Sequence, residues 1–306
     1  MKKTILMTAI ATAVMMSSAV YAEAKPDLRY FGGSTGGSYT KNVGGNLRDQ
    51  LGGLFNFQIN PGTKKGASKG TKENLKHLSD GSGDVASVQM DGLVGYSGSL
   101  EKLMTMYPEY VHLVCSKLSG VKSVKDLEGS DHVVAIGPRS GGTSVTWEAM
   151  GTLDDDYAEV QTKTYKYKRA ASKMLSGDVA CWMKVAGLGD SEVQYMATAG
   201  NGDFTLVPFN DWDFNDKTVK IGGKEEKLYN FDKIPGGTYG EALGNAGGWT
   251  GGDSIGTINV FAVLVASEEW IERMDEIDED LIEEVYGASS AALPSIRAYV
   301  GYDPKD

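Results

Sequence analysis

Residues 29–40 read RYFGGSTGGSYT, a short apolar stretch that runs into a loop of glycines and hydroxyl side chains. The surrounding DLRYFGG predicts a strand stopped by glycines, and YTKNVGGNLRDQLGG predicts a helix closed by Gly52 and Gly53. Such a strand–loop–helix unit has three interpretations. It is a loop that cradles the phosphates of a cofactor, one wall of a ligand cleft, or an ordinary turn.

The next elements indicate how this unit is used. FNFQINPG predicts a second strand, GTKENLKHLSDGSGD a helix and DVASVQMDG a third strand. This β-α-β-α-β order indicates a parallel sheet with crossover helices. Further on, HVVAIGPRSGGTSVTWEAM predicts a second unit of the same kind. Ligands bind beyond the carboxyl ends of strands in open α/β sheets. We therefore expect the first loop (residues 32–38) and the second loop (residues 137–143) to face each other across one cleft.

Neither nucleotide-binding motif is present in the first loop. A dinucleotide fingerprint needs Gly two positions after its first Gly, where this chain has Ser34 or Thr35, and a phosphate-binding loop needs Gly-Lys-Ser/Thr, where Ser38 and Tyr39 follow Gly37. What remains is an open backbone whose N–H groups at a helix start suit a carboxylate or another oxyanion.

The second loop adds a basic residue. Arg139 can pair bidentately with a carboxylate or a phosphate, and an exposed arginine at the loop rim is the alternative. Ser140, Thr143 and Ser144 are alternatively plain caps of the following helix.

Two further motifs match only by letter. Residues 252–256 fit G-x-S-x-G around Ser254, but a strand-like segment follows where a nucleophile elbow needs a helix. Residues 211–216, DWDFND, resemble a calcium loop, but Asp216 and Gly222 stand where that loop needs Gly and Glu. We expect no catalytic residues, no cofactor and no metal site, with a solvated loop preferred over a weak calcium site at 211–216.

The C-terminal part is harder to interpret. Residues 210–256 show no clear period, which predicts loops tied down on a scaffold. TINVFAVLVAS then predicts a strand, and residues 267–286 predict one amphipathic helix with an acidic, solvated face.

The N-terminal segment and the composition indicate where the protein is located and which partners it excludes. Lys2 and Lys3 precede an uncharged apolar run, with small residues for cleavage near Ala22 or Ala24, so residues 1–24 predict a signal peptide and a periplasmic location. The net charge of −11 argues against nucleic acid and against an anionic membrane surface. No membrane insertion of the mature chain is expected. Cys115 and Cys181 suit a disulfide or two buried thiols equally well.

Several segments resemble one family and occur in its order. They are similar to the TAXI-type solute receptors of tripartite ATP-independent periplasmic (TRAP) transporters. The similar segments are GGSTGGSYTKNVGG, ENLKHLSDGSGDVASVQMD, YPEYVHLVCSKLSGVKSVKDLEG, IGPRSGGTSVTWEAM, SGDVACWMKVAGLG and DKIPGGTYG. Departures from the family pattern include Gly33-Ser34-Thr35 in the first loop and the Arg139-Ser140 pair in the second.

The resemblance implies an α/β, two-lobed, type II periplasmic-binding fold, in which each lobe is a mixed sheet flanked by helices. The first lobe would comprise residues 26–113 and 208–306, and the second residues 114–207, with hinges near 112–116 and 206–210. It also implies a small anionic organic solute, of the amino-acid or dicarboxylate class, and a TRAP-type integral membrane permease as partner. The implied ligand-binding residues are Ser34, Thr35, Gly36, Gly37, Ser38, Tyr39, Gln89, Arg139, Ser140, Gly142, Thr143, Gly187 and Tyr239.

Three alternatives stay open. The RSGGTS segment also resembles the loops of phosphate-binding proteins, which would make the chain an oxyanion receptor. A sensory receptor that reports its ligand to a signalling partner is the second. A periplasmic serine hydrolase that uses Ser254 is the third.

Overall fold

The computed structural model describes residues 24–248 and 252–304. Within them the chain forms a central mixed sheet flanked by helices, which confirms the predicted α/β fold class. The strands are β1 (Asp27–Phe31), β2 (Asn56–Ile59), β3 (Val85–Gln89), β4 (Leu100–Ser116), β5 (Val133–Ala135), β6 (Gln161–Lys163), β7 (Cys181–Ala186), β8 (Phe204–Val207), β9 (Thr218–Ile221), β10 (Lys224–Lys227), β11 (Tyr229–Ile234) and β12 (Ile255–Ser267). The α-helices are α1 (Gly44–Leu51), α2 (Thr71–Ser79), α3 (Gly142–Leu153), α4 (Asp155–Glu159), α5 (Tyr167–Leu175), α6 (Ser191–Gly200), α7 (Glu268–Ile277) and α8 (Asp280–Val300).

The main sheet has the strand order β2-β1-β3-β12-β4-β7-β5-β6, with β11 added on β12 and β8 on β4. Strand β1 is parallel to both β2 and β3, as the β-α-β-α-β pattern predicts. Strand β5 is likewise parallel to β6 and β7. The two parallel groups are the two strand–loop–helix units, and their carboxyl ends carry the two glycine-rich loops.

Two long antiparallel strands join these groups. Strand β12 pairs with β3 and with the first part of β4, and the last part of β4 pairs with β7 and β8. The register of the β4–β12 pairing shifts after Ala262 and again after Leu264. The first shift leaves a bulge on β4 just before Tyr107. Bulges re-aim side chains and are frequent beside binding sites. The lobe and hinge boundaries stay predictions.

Three apolar clusters stabilise this arrangement. One is centred on α1, α8 and the outer face of β1, and includes Leu47 and Trp270. Another lies under α5 and α6, around Met174 and Trp182. The largest contains residues of both parallel groups, among them Phe31 and Met183. The sheet is therefore covered on both faces, as parallel strands require.

Cys115 and Cys181 form a disulfide between β4 and β7, where they are direct partners in the antiparallel register. Of the two interpretations that the sequence allowed, the bonded pair is the one found.

Parts of the C-terminal prediction were wrong. Residues 210–256 are not only loops, because β9, β10 and β11 lie there. The single helix expected over 267–286 is two helices, α7 and α8, separated at Asp278 and Glu279. Strand β4 begins at Leu100, and its first part pairs with β12.

The predicted signal peptide lies outside the described residues, apart from Ala24. In the described ranges, no helix has both the length and the apolar character that crossing a bilayer requires.

Candidate ligand-binding site

The two glycine-rich loops line the same cavity, of about 340 Å³. It is referred to below as the cleft cavity. The first loop contributes Ser34, Gly37, Ser38 and Tyr39, and the second contributes Ser140, Gly141 and Gly142. Its volume lies at the lower end of the range typical of small-molecule pockets.

A third segment, Ser68–Gly70, also lines the cavity. It stands immediately before α2, just as Gly37–Tyr39 begins the helical stretch that continues into α1 and Gly141 caps α3. The amino-terminal ends of three helices therefore border one cavity. The first N–H groups of a helix have no partner within it, and its dipole is positive at that end.

The free donors can be named for two of these helices. In the described part of the chain, the N–H groups of Ser38, Tyr39 and Thr40 donate to no backbone carbonyl, and those of Gly142, Thr143 and Ser144 do not either. Donors of this kind suit an anion.

A buried asparagine fixes the first loop. The Asn60 side chain accepts a hydrogen bond from the N–H of Gly32 and donates to the carbonyls of Gly33 and Gly66, at 2.9, 3.1 and 2.9 Å. Tyr30 adds a second contact from below, since its hydroxyl donates to the Tyr39 carbonyl at 2.6 Å. The loop is glycine-rich but held in one geometry.

The second loop approaches the segment before α2 closely. Gly70 has φ +99°, and a Cβ built there would lie 3.0 Å from the Ser140 carbonyl oxygen. Only glycine fits this position without strain. A salt bridge between Lys72 of α2 and Glu148 of α3 lies beside this approach.

Glu109 is the carboxylate that lines the cleft cavity, and Lys69 is the cation, among the described lining residues. The Lys69 side chain is 75% exposed. Burial raises the pKa of Glu109 to about 7, with the nearby charge of Asp91 adding to the increase and the Tyr39 hydroxyl opposing it. The Tyr39 hydroxyl donates to Glu109 Oε2 at 3.3 Å.

Behind this carboxylate lie two more polar groups. The side chain of Gln89 is buried, and neither its amide oxygen nor its amide nitrogen has a well-formed hydrogen bond in the described structure. It lies directly beneath Gly142, where an added Cβ would come within 2.3 Å of Gln89 Oε1. Asp91 is also buried, and its burial raises its pKa to about 7.

The structure brings only some of the sequence-predicted residues to the cavity. Ser34, Gly37, Ser38, Tyr39, Ser140 and Gly142 line it. Thr35 and Gly36 are exposed and outside the lining. Thr143 is buried and its hydroxyl accepts a hydrogen bond from the Val185 N–H.

Three predicted residues lie elsewhere. Arg139 lines a separate cavity of about 780 Å³ beside α3. Tyr239 is buried against His112, whose Nε2 lies 2.8 Å from the tyrosine hydroxyl, and Gly187 is not in the lining.

The sequence reasoning missed Glu109 and Ser68–Gly70. For Glu109 the available signal was a lone carboxylate in the apolar MTMYPEYVHLV stretch, and for Ser68–Gly70 it was a glycine before a helix with Glu73 in its first turn.

The G-x-S-x-G match around Ser254 and the calcium-loop match at residues 211–216 lack the structural context that each motif requires. Ser254 is exposed and is followed by β12, which is not the strand–helix turn of a nucleophile elbow. The carboxylates of Asp154, Asp211 and Asp213 lie together, but the Lys125 ammonium is 2.7 Å from Asp211 and 2.9 Å from Asp213. A protein cation thus already occupies this acidic cluster.

The model of the NMT1-like family matches residues 32–272, a span that includes both loops and Glu109. The chain belongs to the NMT1-like family. Among solved structures it is similar to XAC2383 from Xanthomonas citri bound to ATP, with a TM-score of 0.50, 11% identity, and coverage of 92% of this chain and 93% of that one. At this identity the similarity supports the fold alone.

Two further structures are similar to this member of the NMT1-like family. The arginine-, lysine-, histidine-binding protein ArtJ from Geobacillus stearothermophilus has a TM-score of 0.47 at 11% identity, covering 92% of this chain and 97% of ArtJ. The GluR0 ligand-binding core from Nostoc punctiforme, in complex with L-glutamate, has a TM-score of 0.47 at 10% identity, covering 91% of this chain and all of that one (100%).

Proposed function

We propose that this protein is an exported solute receptor, which holds a small carboxylate-bearing solute in the cleft cavity and delivers it to a TRAP-type membrane permease. The observation behind the proposal is the convergence of three helix amino termini on one cavity of ligand size. Free N–H donors and aligned helix dipoles favour a bound anion even in a protein of net charge −11.

Export and the permease partner rest on sequence. The basic start and apolar run of residues 1–20 are typical of a signal peptide. The ordered segments similar to TAXI receptors support the TRAP-type partner, and membership of the NMT1-like family is compatible with it.

Titration calorimetry on the protein, purified without its leader and freed of ligand by partial unfolding and refolding, tests the proposal. The panel is small mono- and dicarboxylates, amino acids and inorganic phosphate. We expect one carboxylate to bind at one site per chain. If the folded protein binds none of them, or binds phosphate alone, the carboxylate assignment is wrong. Labelling of Ser254 by a serine-directed phosphonate would instead support a hydrolase.

Gly70→Ala is expected to weaken binding of that carboxylate about tenfold. The new methyl group would press on the Ser140 carbonyl across the cleft, and the residue would keep a backbone conformation that costs about 1–3 kcal/mol outside glycine. Calorimetry gives the dissociation constant.

The matched control is Gly36→Ala. This glycine has no atom within 4 Å of an added Cβ and lies outside the cavity lining, so the variant should bind as the wild type does. Equal affinities for the two variants would contradict a role for the Gly70–Ser140 approach.

A further inference from the structure

Glu109 lacks the partner that a carboxylate in a cleft normally has. In the described structure no basic side chain lies within 4.0 Å of it. The Tyr39 hydroxyl, at 3.3 Å, is longer than a normal O–H···O bond. A half-buried carboxylate has several lone pairs to satisfy. This one therefore leaves most of its acceptor capacity facing the cavity.

The neighbouring side chain is also unsatisfied. Gln89 is 2% exposed, and both polar atoms of its amide lack a well-formed partner in the described structure. Burying an amide without hydrogen bonds is costly. The long Tyr39 contact and the neutral Gln89 amide leave Glu109 without a charged partner, and a cationic group bound in the cavity would supply one.

The cavity lining thus offers two chemically different kinds of group. Glu109 offers a carboxylate acceptor, and the helix starts at Ser38 and Gly142 offer N–H donors. A ligand that satisfies both kinds of group carries a donor-rich cation and an anion close together. An ammonium carboxylate has this pattern within one small molecule.

We propose that Glu109 is the specificity-determining residue of the cleft, which receives the ammonium group of an amino-acid solute whose carboxylate lies at the helix amino termini. This inference rests on the proposed function and narrows its substrate class. A dicarboxylate would instead place a second negative charge against Glu109, and like charges at hydrogen-bond distance repel strongly in a partly desolvated site.

The two ligand classes predict opposite pH dependence. An ammonium group needs ionised Glu109, so affinity should increase as pH rises through about 7, the pKa of this carboxyl. A dicarboxylate needs protonated Glu109, and its affinity should fall over the same range. The groups that act on Glu109 are Asp91, which raises its pKa, Lys184, Gln89 and Tyr39, which lower it, and Tyr107, whose own pKa it raises. Asp91 also has a pKa of about 7, so it adds to the same transition.

The experiment is calorimetry with matched pairs that differ only in the amino group: L-alanine and propionate, L-leucine and 4-methylpentanoate, and L-glutamate and glutarate. For the pair that the wild type binds most tightly, we expect the amino acid to bind at least about 30-fold more tightly than its partner. Glu109→Gln should remove this preference by weakening the amino acid about 30-fold and leaving the deaminated acid within about threefold.

Glu101→Gln is the matched control, since Glu101 lies eight residues earlier on β4 and outside the cavity lining. It should bind as the wild type does. If Glu109→Gln does not fold, by circular dichroism and thermal melting, the pH profile of the wild type between 6 and 8 decides between the two ligand classes.

Two results would overturn the inference and separate it from the proposed function. Deaminated acids that bind as tightly as amino acids, with no loss in Glu109→Gln or with affinity that falls as pH rises, would refute the ammonium site and leave a carboxylate receptor in place. Failure of every member of every pair to bind the folded wild type would refute the receptor proposal itself, and the ammonium site with it.

Discussion

Replacing Cys115 and Cys181 together by alanine is expected to lower the free energy of unfolding by about 4 kcal/mol. The two cysteines are 66 residues apart, and a cross-link that closes a loop of this length removes much of the conformational freedom of the unfolded chain. Because the bond joins β4 to β7, it also attaches the long connecting strand to the second parallel group.

Urea unfolding of the wild type, with and without a reducing agent, measures the effect. The double variant serves as its own control, because a reducing agent should leave its transition unchanged while shifting that of the wild type. Both cysteines are fully buried, so reduction must be carried out on the unfolded chain before refolding. An unfolding transition of the oxidised wild type equal to that of the double variant would show that the bond adds no stability.

The sequence was most informative where local chemistry decides structure. The two glycine-rich loops could be predicted because each follows an apolar strand and precedes a helix, and parallel strands bring their carboxyl ends to one edge. The fold class followed from the same order of elements. The β9–β10 hairpin was missed although the adjacent pair Gly222 and Gly223 is a sequence signal for a tight hairpin turn. Both glycines have positive φ in the structure, as such a turn requires.

Other features depend on contacts that no local pattern shows. Glu109 reads in sequence as an ordinary strand carboxylate. Burial beneath distant segments and the nearby charge of Asp91 raise its pKa, while hydrogen bonding from Tyr39 and Gln89 lowers it. Strand β11 has its partner in β12, across a segment without regular period. The break between α7 and α8 was hidden because apolar and acidic residues continue at helical spacing across Asp278.

The buried Asp91 should reduce stability at neutral pH, so that Asp91→Asn is expected to raise the free energy of unfolding by about 3 kcal/mol at pH 8. Burial raises the pKa of this carboxyl to about 7 in the folded state, from 3.8 in the unfolded chain. The folded state therefore binds the proton more tightly. Stability is retained at low pH and lost as pH rises from about 4 to 7, where the buried group must ionise.

Asparagine has no charge to bury, so the gain in the free energy of unfolding should depend on pH. We expect about 3 kcal/mol at pH 8, about half of that at pH 5 and almost nothing at pH 4. Thermal and urea unfolding across this range measures it, with the exposed Asp203→Asn as the control that should change little at any pH. One Asp91 oxygen has no hydrogen bond in the described structure, and the Tyr229 hydroxyl is 3.4 Å from the other.

Asp91 also raises the pKa of Glu109, so the residue whose burial lowers stability acts on a group that lines the cleft cavity. A residue that lowers stability while acting on a binding group fits the usual trade-off between stability and function. Asp91→Asn should therefore lower the pKa of Glu109 and shift the pH dependence of ligand binding to lower pH. A variant that is less stable than the wild type at pH 8, or equally stable at every pH, would show that the Asp91 carboxylate is satisfied in the fold and that its burial carries no cost.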